Sequence, residues 1–176
     1  RNPGRALNLD WIMSAQANTS AIERRAATLG ARRSVKKTHQ AAWLLRAVSC
    51  IDLTTLSGDD TAGRVYRLCD KAKNPIRSDI LEKLEMPQIK VGAVCVYHDM
   101  IASAVERLGE SGIPVAAVST GFPAGLSPLN LRIAEIKESV AAGANEIDIV
   151  ISRRHVLTQN WAALYKEVRR FRDACG

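Results

Sequence analysis

The stretch that decides the fold is Glu146-Ile147-Asp148-Ile149-Val150-Ile151, an apolar run with two carboxylates at alternate positions. Because successive side chains of a strand point to opposite faces, Glu146, Asp148 and Val150 share one face and the isoleucines share the other. If the isoleucine face packs under a helix, Asp148 points into whatever the opposite face encloses and becomes a candidate acid or base. The alternative is an edge strand whose acidic face meets water.

A second strand with an acidic residue in its middle is predicted earlier in the chain. Residues 48–56 are mostly apolar and β-branched, and they place Cys50, Asp52 and Thr54 on one face. Residues 91–97 and 114–120 are nearly all apolar, as strands buried on both faces are. The sequence therefore predicts four strands.

Segments with helical periodicity precede and separate these strands. The expected helices cover 20–30, 40–46, a segment from 65 to about Asn74, 79–84, 101–108, 128–142 and 158–174. Asp99 is the expected N-cap of the helix over 101–108. Ser127 is the expected N-cap of the next helix, with Pro128 at its first position.

The alternation of strand and helix, four times over, argues for parallel strands joined by right-handed helical crossovers. An open doubly wound sheet and a (β/α)8 barrel share this pattern, but no strand is followed by a glycine-rich nucleotide-binding motif. Polar groups recur on one strand face, which favours an α/β fold of the (β/α)8 TIM-barrel type. These groups are Asp52, Thr54, Cys95, Thr120, Glu146 and Asp148. We expect the chain to supply the N-terminal helices and the first four β/α units of a longer barrel.

Composition and charge narrow the function classes. The 176 residues contain no apolar run of membrane-spanning length, and the four cysteines and three histidines lack the spacing of a zinc site or a disulfide framework. We therefore expect a cytoplasmic protein without metal. The net charge is +7, and residues 1–40 hold eight basic against two acidic residues. This arm lacks a nucleic-acid signature, so we predict a basic helical extension over 1–40 and half a barrel over 41–176.

Four motifs follow one another in the second part of the chain. They are Ile51-Asp52-Leu53-Thr54-Thr55-Leu56 with Asp59-Asp60-Thr61, Ala93-Val94-Cys95-Val96-Tyr97, Thr120-Gly121-Phe122-Pro123-Ala124-Gly125, and residues 143–151. In this order and spacing they resemble the deoxyribose-phosphate aldolase family, and the N-terminal helices resemble the extension of its animal members. The resemblance implies a class I aldolase, a carbon-carbon lyase without metal or organic cofactor. It would cleave 2-deoxy-D-ribose 5-phosphate reversibly to D-glyceraldehyde 3-phosphate and acetaldehyde, in deoxyribose phosphate catabolism.

The resemblance also implies roles for single residues. Asp148 matches the proton-relay aspartate of the family. Asp52 and Thr54 match polar positions that line the substrate site, and Cys95 matches a cysteine close to the bound aldehyde. For Cys95 we favour a packing role, because cysteine is commonly buried. The chemistry of the family runs through a lysine Schiff base, which acts as an electron sink while the carbon-carbon bond breaks.

The lysines are where the sequence departs from the family. The family's Schiff-base lysine, its partner lysine and most of the phosphate site lie on later strands. Of the lysines present, seven fall on predicted helices or their flanks, and Lys90 sits at the N-terminal end of its strand. We therefore expect a partial chain that is inactive alone, with a phosphosugar as partner and no membrane; a homo-oligomer is left open. The alternatives are a non-catalytic half-barrel interaction module and a nucleic-acid-binding protein.

Overall fold

The computed structural model describes residues 4–32 and 35–176. Their contacts divide the chain into two compact units, Arg1–Trp43 and Leu44–Gly176. The boundary falls three residues after the predicted division at residue 40. The assignment of 1–40 as a separate helical extension stays a prediction.

The first unit is helical. It holds α1 (Leu9–Ser14), α2 (Thr19–Arg32) and the start of α3 (Lys37–Val48). Asn8 is the N-cap of α1, and its side-chain oxygen accepts a hydrogen bond from the amide of Trp11 at 2.8 Å. The sequence predicted α2 and α3 but not the short α1. None of the described residues in these three helices is buried.

The second unit alternates strands and helices, as predicted. Its strands are β1 (Asp52–Thr54), β2 (Ala93–Tyr97), β3 (Val115–Ser119) and β4 (Glu146–Ile149). Its helices are α4 (Ala62–Lys73), α5 (Ser78–Lys83), α6 (Ile101–Leu108), α7 (Leu129–Ala141), α8 (Arg153–Leu157) and α9 (Trp161–Ala174). Short 3₁₀ turns lie at His98–Met100 and Gly109–Ser111.

The four strands form one parallel sheet in the order β1-β2-β3-β4. Each strand is joined to its neighbour by a helical segment, which is the connection that parallel strands need. The junction between β3 and β4 is closed by Asn145, whose amide donates to the carbonyl of Val115 at 2.8 Å. Its side-chain oxygen accepts from the amide of Val115 at 2.9 Å. The observed fold is the predicted set of four consecutive β/α units.

One face of the sheet carries the main hydrophobic core. Side chains of the two central strands pack there against the inner stripes of α4 and α6, and Leu53 and Ile147 of the outer strands reach the same cluster. The fully buried strand members of this cluster are Val94, Val96 and Ala117, with Val115 nearly so. The helices contribute Val65, Cys69 and Ala72 from α4 and Ile101, Ala104 and Leu108 from α6. Alternation therefore sends the opposite set of strand side chains away from the helices.

The structure corrects several predicted boundaries. β1 is shorter than the run 48–56, because α3 extends to Val48, and Cys50 lies before the strand. Asp99 does not cap α6; it lies inside the 3₁₀ turn, and no described side chain caps that helix. Pro128, not Ser127, is the N-cap of α7. The predicted helix over 158–174 starts at Trp161, after the unpredicted α8.

No helix in the described ranges is both long and apolar enough to cross a membrane.

Candidate active site

The register of the sheet places the candidate residues in two rows on the face that points away from the helices. One row runs Thr54, Cys95, Ala116 and Glu146 across the four strands. The next row toward the carboxyl ends runs Tyr97, Val118 and Asp148. The predicted polar face therefore exists, and it brings Thr54, Cys95 and Asp148 together, with Asp52 opposite Ala93 at the start of β1.

The middle of this face differs from its margins. Cys95, Ala116 and Val118 are at most 6% exposed, and with Ala93 they form a second small cluster of buried side chains. Asp52 and Thr54 on one outer strand, and Glu146 and Asp148 on the other, are exposed. In the part of the chain that the structure describes, two acidic margins thus flank a floor of small side chains.

The negative charges of this face act on the thiol of Cys95. Burial raises the pKa of its thiol above the ordinary value, a hydrogen bond with Thr54 lowers it, and the negative charges of Asp148, Asp52 and Glu146 raise it further. The balance is a raised pKa, so the thiol is protonated at neutral pH and is a poor nucleophile. Three carboxylates are therefore close enough to act electrostatically on one buried sulfur atom.

Asp148 is the residue for which the sequence predicts proton transfer. It lies near the carboxyl end of β4, and its side chain forms no hydrogen bond or ion pair with any residue that the structure describes. Ile147 packs on the helix side, so Asp148 points to the opposite face, as the alternation predicted. It is exposed rather than enclosed, because β4 is the outer strand of this four-stranded sheet.

Thr120 departs from the predicted pattern. It has a positive φ of 62°, which interrupts the alternation of β3, and it is fully buried. Its Oγ1 accepts a hydrogen bond from the amide of Val150 at 2.6 Å and lies 2.7 Å from the carbonyl oxygen of Ser119. The hydroxyl therefore ties the ends of β3 and β4 together and is not offered to a ligand on the polar face.

The loop after β3 is held against the end of β4. Gly125 has a φ of 70°, and a Cβ atom there would lie 2.8 Å from Cγ1 of Val150. Only glycine fits this backbone conformation and this approach. The amide of Gly121 donates to Oε2 of Glu135 on α7 at 2.9 Å. These contacts fix the loop beside the strand that carries Asp148.

Sequence reasoning missed the apolar side chains of this face. Leu56, Tyr97 and Phe122 pack against the small buried cluster, and the rings of Tyr97 and Phe122 meet edge to face with centroids 5.9 Å apart. The position of Tyr97 could have been predicted, because it lies two residues after Cys95 on β2 and its side chain therefore points to the same face. Phe122 follows the strand in a loop, where alternation gives no direction.

Asp60 anchors the loop after β1, a role that the sequence analysis did not assign to it. Its side chain is 5% exposed and accepts hydrogen bonds from the hydroxyl of Thr55 at 2.9 Å, the amide of Ser57 at 3.0 Å and Arg64 at 3.2 Å. Burial raises the pKa of this carboxyl, but the three donors together lower it below the ordinary value. Asp60 is therefore an ionised structural support of the loop that follows β1.

The lysines lie away from this face. All eight fall within the described ranges, and each occupies a helix or a loop. Lys90 precedes β2, and its Nζ donates to the carbonyl oxygen of Ser111 at 2.7 Å, at the amino end of the sheet. Within residues 4–32 and 35–176, no group of three or more His, Cys, Asp or Glu side chains could hold a metal ion.

Fold and site together define an α/β chain of the (β/α)8 type, with acidic and polar side chains along one face of consecutive parallel strands. The DeoC/LacD family aldolase model matches residues 46–176, and the chain belongs to this family. It is 55% identical to the deoxyribose-phosphate aldolase of Bos taurus, 56% to that of Mus musculus and 54% to that of Homo sapiens. These alignments cover 98% to 99% of the chain, which spans 56% of the length of each relative.

Solved structures show the same fold. A structure from Coccidioides immitis has a TM-score of 0.63 and 22% identity, covering 96% of this chain and 58% of that one. The deoxyribose phosphate aldolase of Aeropyrum pernix, described as tetrameric, has a TM-score of 0.52 and 23% identity, covering 75% of this chain and 50% of that one. At these identities the likeness concerns the fold alone. It confirms the prediction of a TIM-barrel type α/β fold of which the chain supplies four units.

Proposed function

We propose that the protein is a deoxyribose-phosphate aldolase of the cytoplasm, acting in carbohydrate degradation. It would cleave 2-deoxy-D-ribose 5-phosphate reversibly to D-glyceraldehyde 3-phosphate and acetaldehyde through a lysine Schiff base. The observation that carries the proposal is the sheet register. It places Thr54 and Cys95 in one row of the polar face and Asp148 in the next row of the same face. That arrangement occurs in a chain about 55% identical to relatives bearing the enzyme's name.

Asp148 is the residue to which we assign proton transfer. Its exposed carboxylate can accept a proton from a substrate hydroxyl as the carbon-carbon bond breaks and return one to the carbon of the product. No partner among the described residues competes for it. Asp52 and Thr54 lie on the opposite outer strand of the same face, where they can bind hydroxyl groups of a sugar.

Cys95 and the aromatic pair would shape the site without reacting. The thiol is buried and its pKa is raised, first by burial, so it would contact the aldehyde carbon as a small apolar surface. Tyr97 and Phe122 add an apolar wall next to the row of Asp148. A wall of this kind would exclude water from the reacting carbon atoms.

The Schiff-base lysine of the proposed reaction would not come from the lysines of this sequence. Each of these lies on a helix or a loop, and none lies on a strand of the described sheet. For this reason the alternative function is that of a half barrel that binds a partner and does not catalyse a reaction. Assembly into a homo-oligomer stays a prediction, although the Aeropyrum pernix relative is described as tetrameric.

The test is chemical trapping on the complete protein, expressed from its full coding sequence. Incubation with acetaldehyde and borohydride reduces a Schiff base to a stable adduct, and peptide mapping locates it. We expect one adduct on a lysine outside the present sequence. The 176-residue chain, treated in parallel, should remain unmodified, and omission of borohydride is the control.

Two outcomes would contradict the proposal. An adduct confined to a lysine such as Lys90 or Lys137 would mean that a different residue is the nucleophile. A complete protein that forms no adduct and does not turn over the sugar phosphate would leave the interaction module as the function.

A further inference from the structure

A cavity of about 390 Å³ lies where the start of α7, the start of α8 and one side of α9 meet. This volume is in the range of small-molecule sites. Its charged and titratable lining residues are Arg132, Arg154, His155, Lys166, Glu167 and Arg170. None of Asp52, Thr54, Cys95 and Asp148 lines it, so it is separate from the candidate active site.

The one acid in this lining is already neutralised. Oε1 of Glu167 accepts hydrogen bonds from Nη1 of Arg132 at 2.6 Å and from the amide of Ser152 at 3.1 Å. Its Oε2 lies 3.7 Å from Nε2 of His155. Glu167 and Arg132 are 4% and 5% exposed, and together they form a buried, compensated ion pair within the lining.

Three cations remain without compensation. Arg154, Lys166 and Arg170 line the cavity, and none of them pairs with an acid in the described part of the chain. Cations that converge on one concave surface repel one another and favour an anion between them. The lining therefore carries three positive charges that no described residue offsets.

Arg132 adds a buried donor with no acceptor. Its Nη1 donates to Glu167 and its Nη2 to Ser152, and its guanidinium lies 5.2 Å from the ring centroid of Phe171. Its Nε, however, has no hydrogen-bond partner among the described residues. A buried N–H without an acceptor is costly and calls for a ligand or water. The amino end of α7 also lines the cavity, through Leu129 and the two residues before the helix, and a helix N-terminus favours anions.

We propose that this cavity binds the phosphate group of a small phosphorylated molecule, at a site distinct from the one that carries Asp148. Arginine forks match the geometry of phosphate oxygens, and a lysine adds a point charge. The proposal rests on residues of α7, α8 and α9 and of the segments that directly precede α7 and α8. It does not depend on the proposed aldolase function.

The test measures binding of inorganic phosphate to the complete protein by isothermal titration calorimetry, with chloride keeping the ionic strength constant. We expect saturable binding. The double variant Arg154→Gln with Arg170→Gln should weaken it by at least about tenfold, because two charge-assisted contacts are lost. Both side chains are exposed and unpaired, so the fold should survive, and circular dichroism verifies this.

The matched control is Arg153→Gln with Arg169→Gln. These arginines are the sequence neighbours of the tested pair on the same two helices, they are exposed, and they do not line the cavity. The change in net charge is identical, and the phosphate affinity should stay within about twofold of the unmodified protein.

Three results would overturn the proposal. Equal weakening by both double variants would indicate a general charge effect. Unchanged affinity in the Arg154 and Arg170 variant would place the phosphate elsewhere, for instance in the substrate site. No saturable binding at all would mean that the cavity does not hold phosphate.

Discussion

The two faces of one four-stranded sheet serve different purposes in this protein. Toward the helices, the central strands present Val94, Val96 and Ala117, all fully buried, and the contacts there form the main core. Toward the other side, the same strands present Cys95 and Ala116, which are small and nearly buried. Because the side chains alternate, one strand can build the core with every second residue and shape a binding surface with the rest.

The difference between the faces is greatest on the outer strands. In β4, Ile147 packs toward the helix-side core, whereas Asp148 next to it is exposed on the other face. In β1, Leu53 likewise packs toward the helix-side core, whereas Asp52 is exposed on the other face. Under the proposed function, stability and chemistry would depend on neighbouring residues, so single substitutions should affect one and leave the other unchanged.

The largest effect is expected on the polar face. In the complete protein, Asp148→Asn should lower kcat by about 10²–10⁴-fold, the usual contribution of a positioned acid or base. The thermal midpoint should hardly change, since the carboxylate is exposed and forms no hydrogen bond or ion pair with the described residues. Steady-state kinetics and a melting curve measure the two quantities.

Glu138→Gln is the control for that substitution. Glu138 is an exposed acid on α7, and its change to an amide should leave both kcat and the midpoint near those of the unmodified protein. Near-normal turnover in Asp148→Asn would reject its assigned role. A large loss of stability would show instead that the two faces are not separable at this residue.

The second effect is expected on the helix side of β2. Val96 is fully buried in the main core, so Val96→Ala removes two buried methyl groups and leaves a cavity. The free energy of unfolding should fall by about 2 kcal/mol. Denaturant titration measures it, and kcat at a temperature where the variant is folded should stay within about twofold. A loss of turnover without loss of stability would be the opposite of what the two faces predict.

Local periodicity was enough to predict most of this arrangement. The alternation in residues 146–151 separates the isoleucines from Asp148, and the alternation of strands and helices implies a parallel sheet. The prediction that Thr54 and Cys95 lie on the same face of the sheet is correct for the same reason. These properties depend only on the pitch of a strand or a helix, which every residue in the segment shares.

What the sequence did not predict depends on contacts between distant segments. Thr120 leaves the polar face because its hydroxyl bonds the backbone of Val150, 30 residues later. The exposure of Asp148 depends on what lies beside β4, not on the strand itself. Phe122 reaches the small cluster through a loop whose course is fixed at Gly125 and Val150. Periodicity carries no information on such pairings.

The smallest effect is expected at Cys95, the sequence neighbour of Val96 on the opposite face. Cys95→Ala removes one buried sulfur atom, and the free energy of unfolding should fall by about 1 kcal/mol, less than for Val96→Ala. Turnover should fall by less than about threefold, because a protonated thiol contributes contact and not chemistry. The two variants can be compared directly, because both substituted residues lie on β2 and both are replaced by alanine. A strong loss of kcat with unchanged stability would mean that the Cys95 thiol takes part in the chemistry, and the packing role that we assign to it would be wrong.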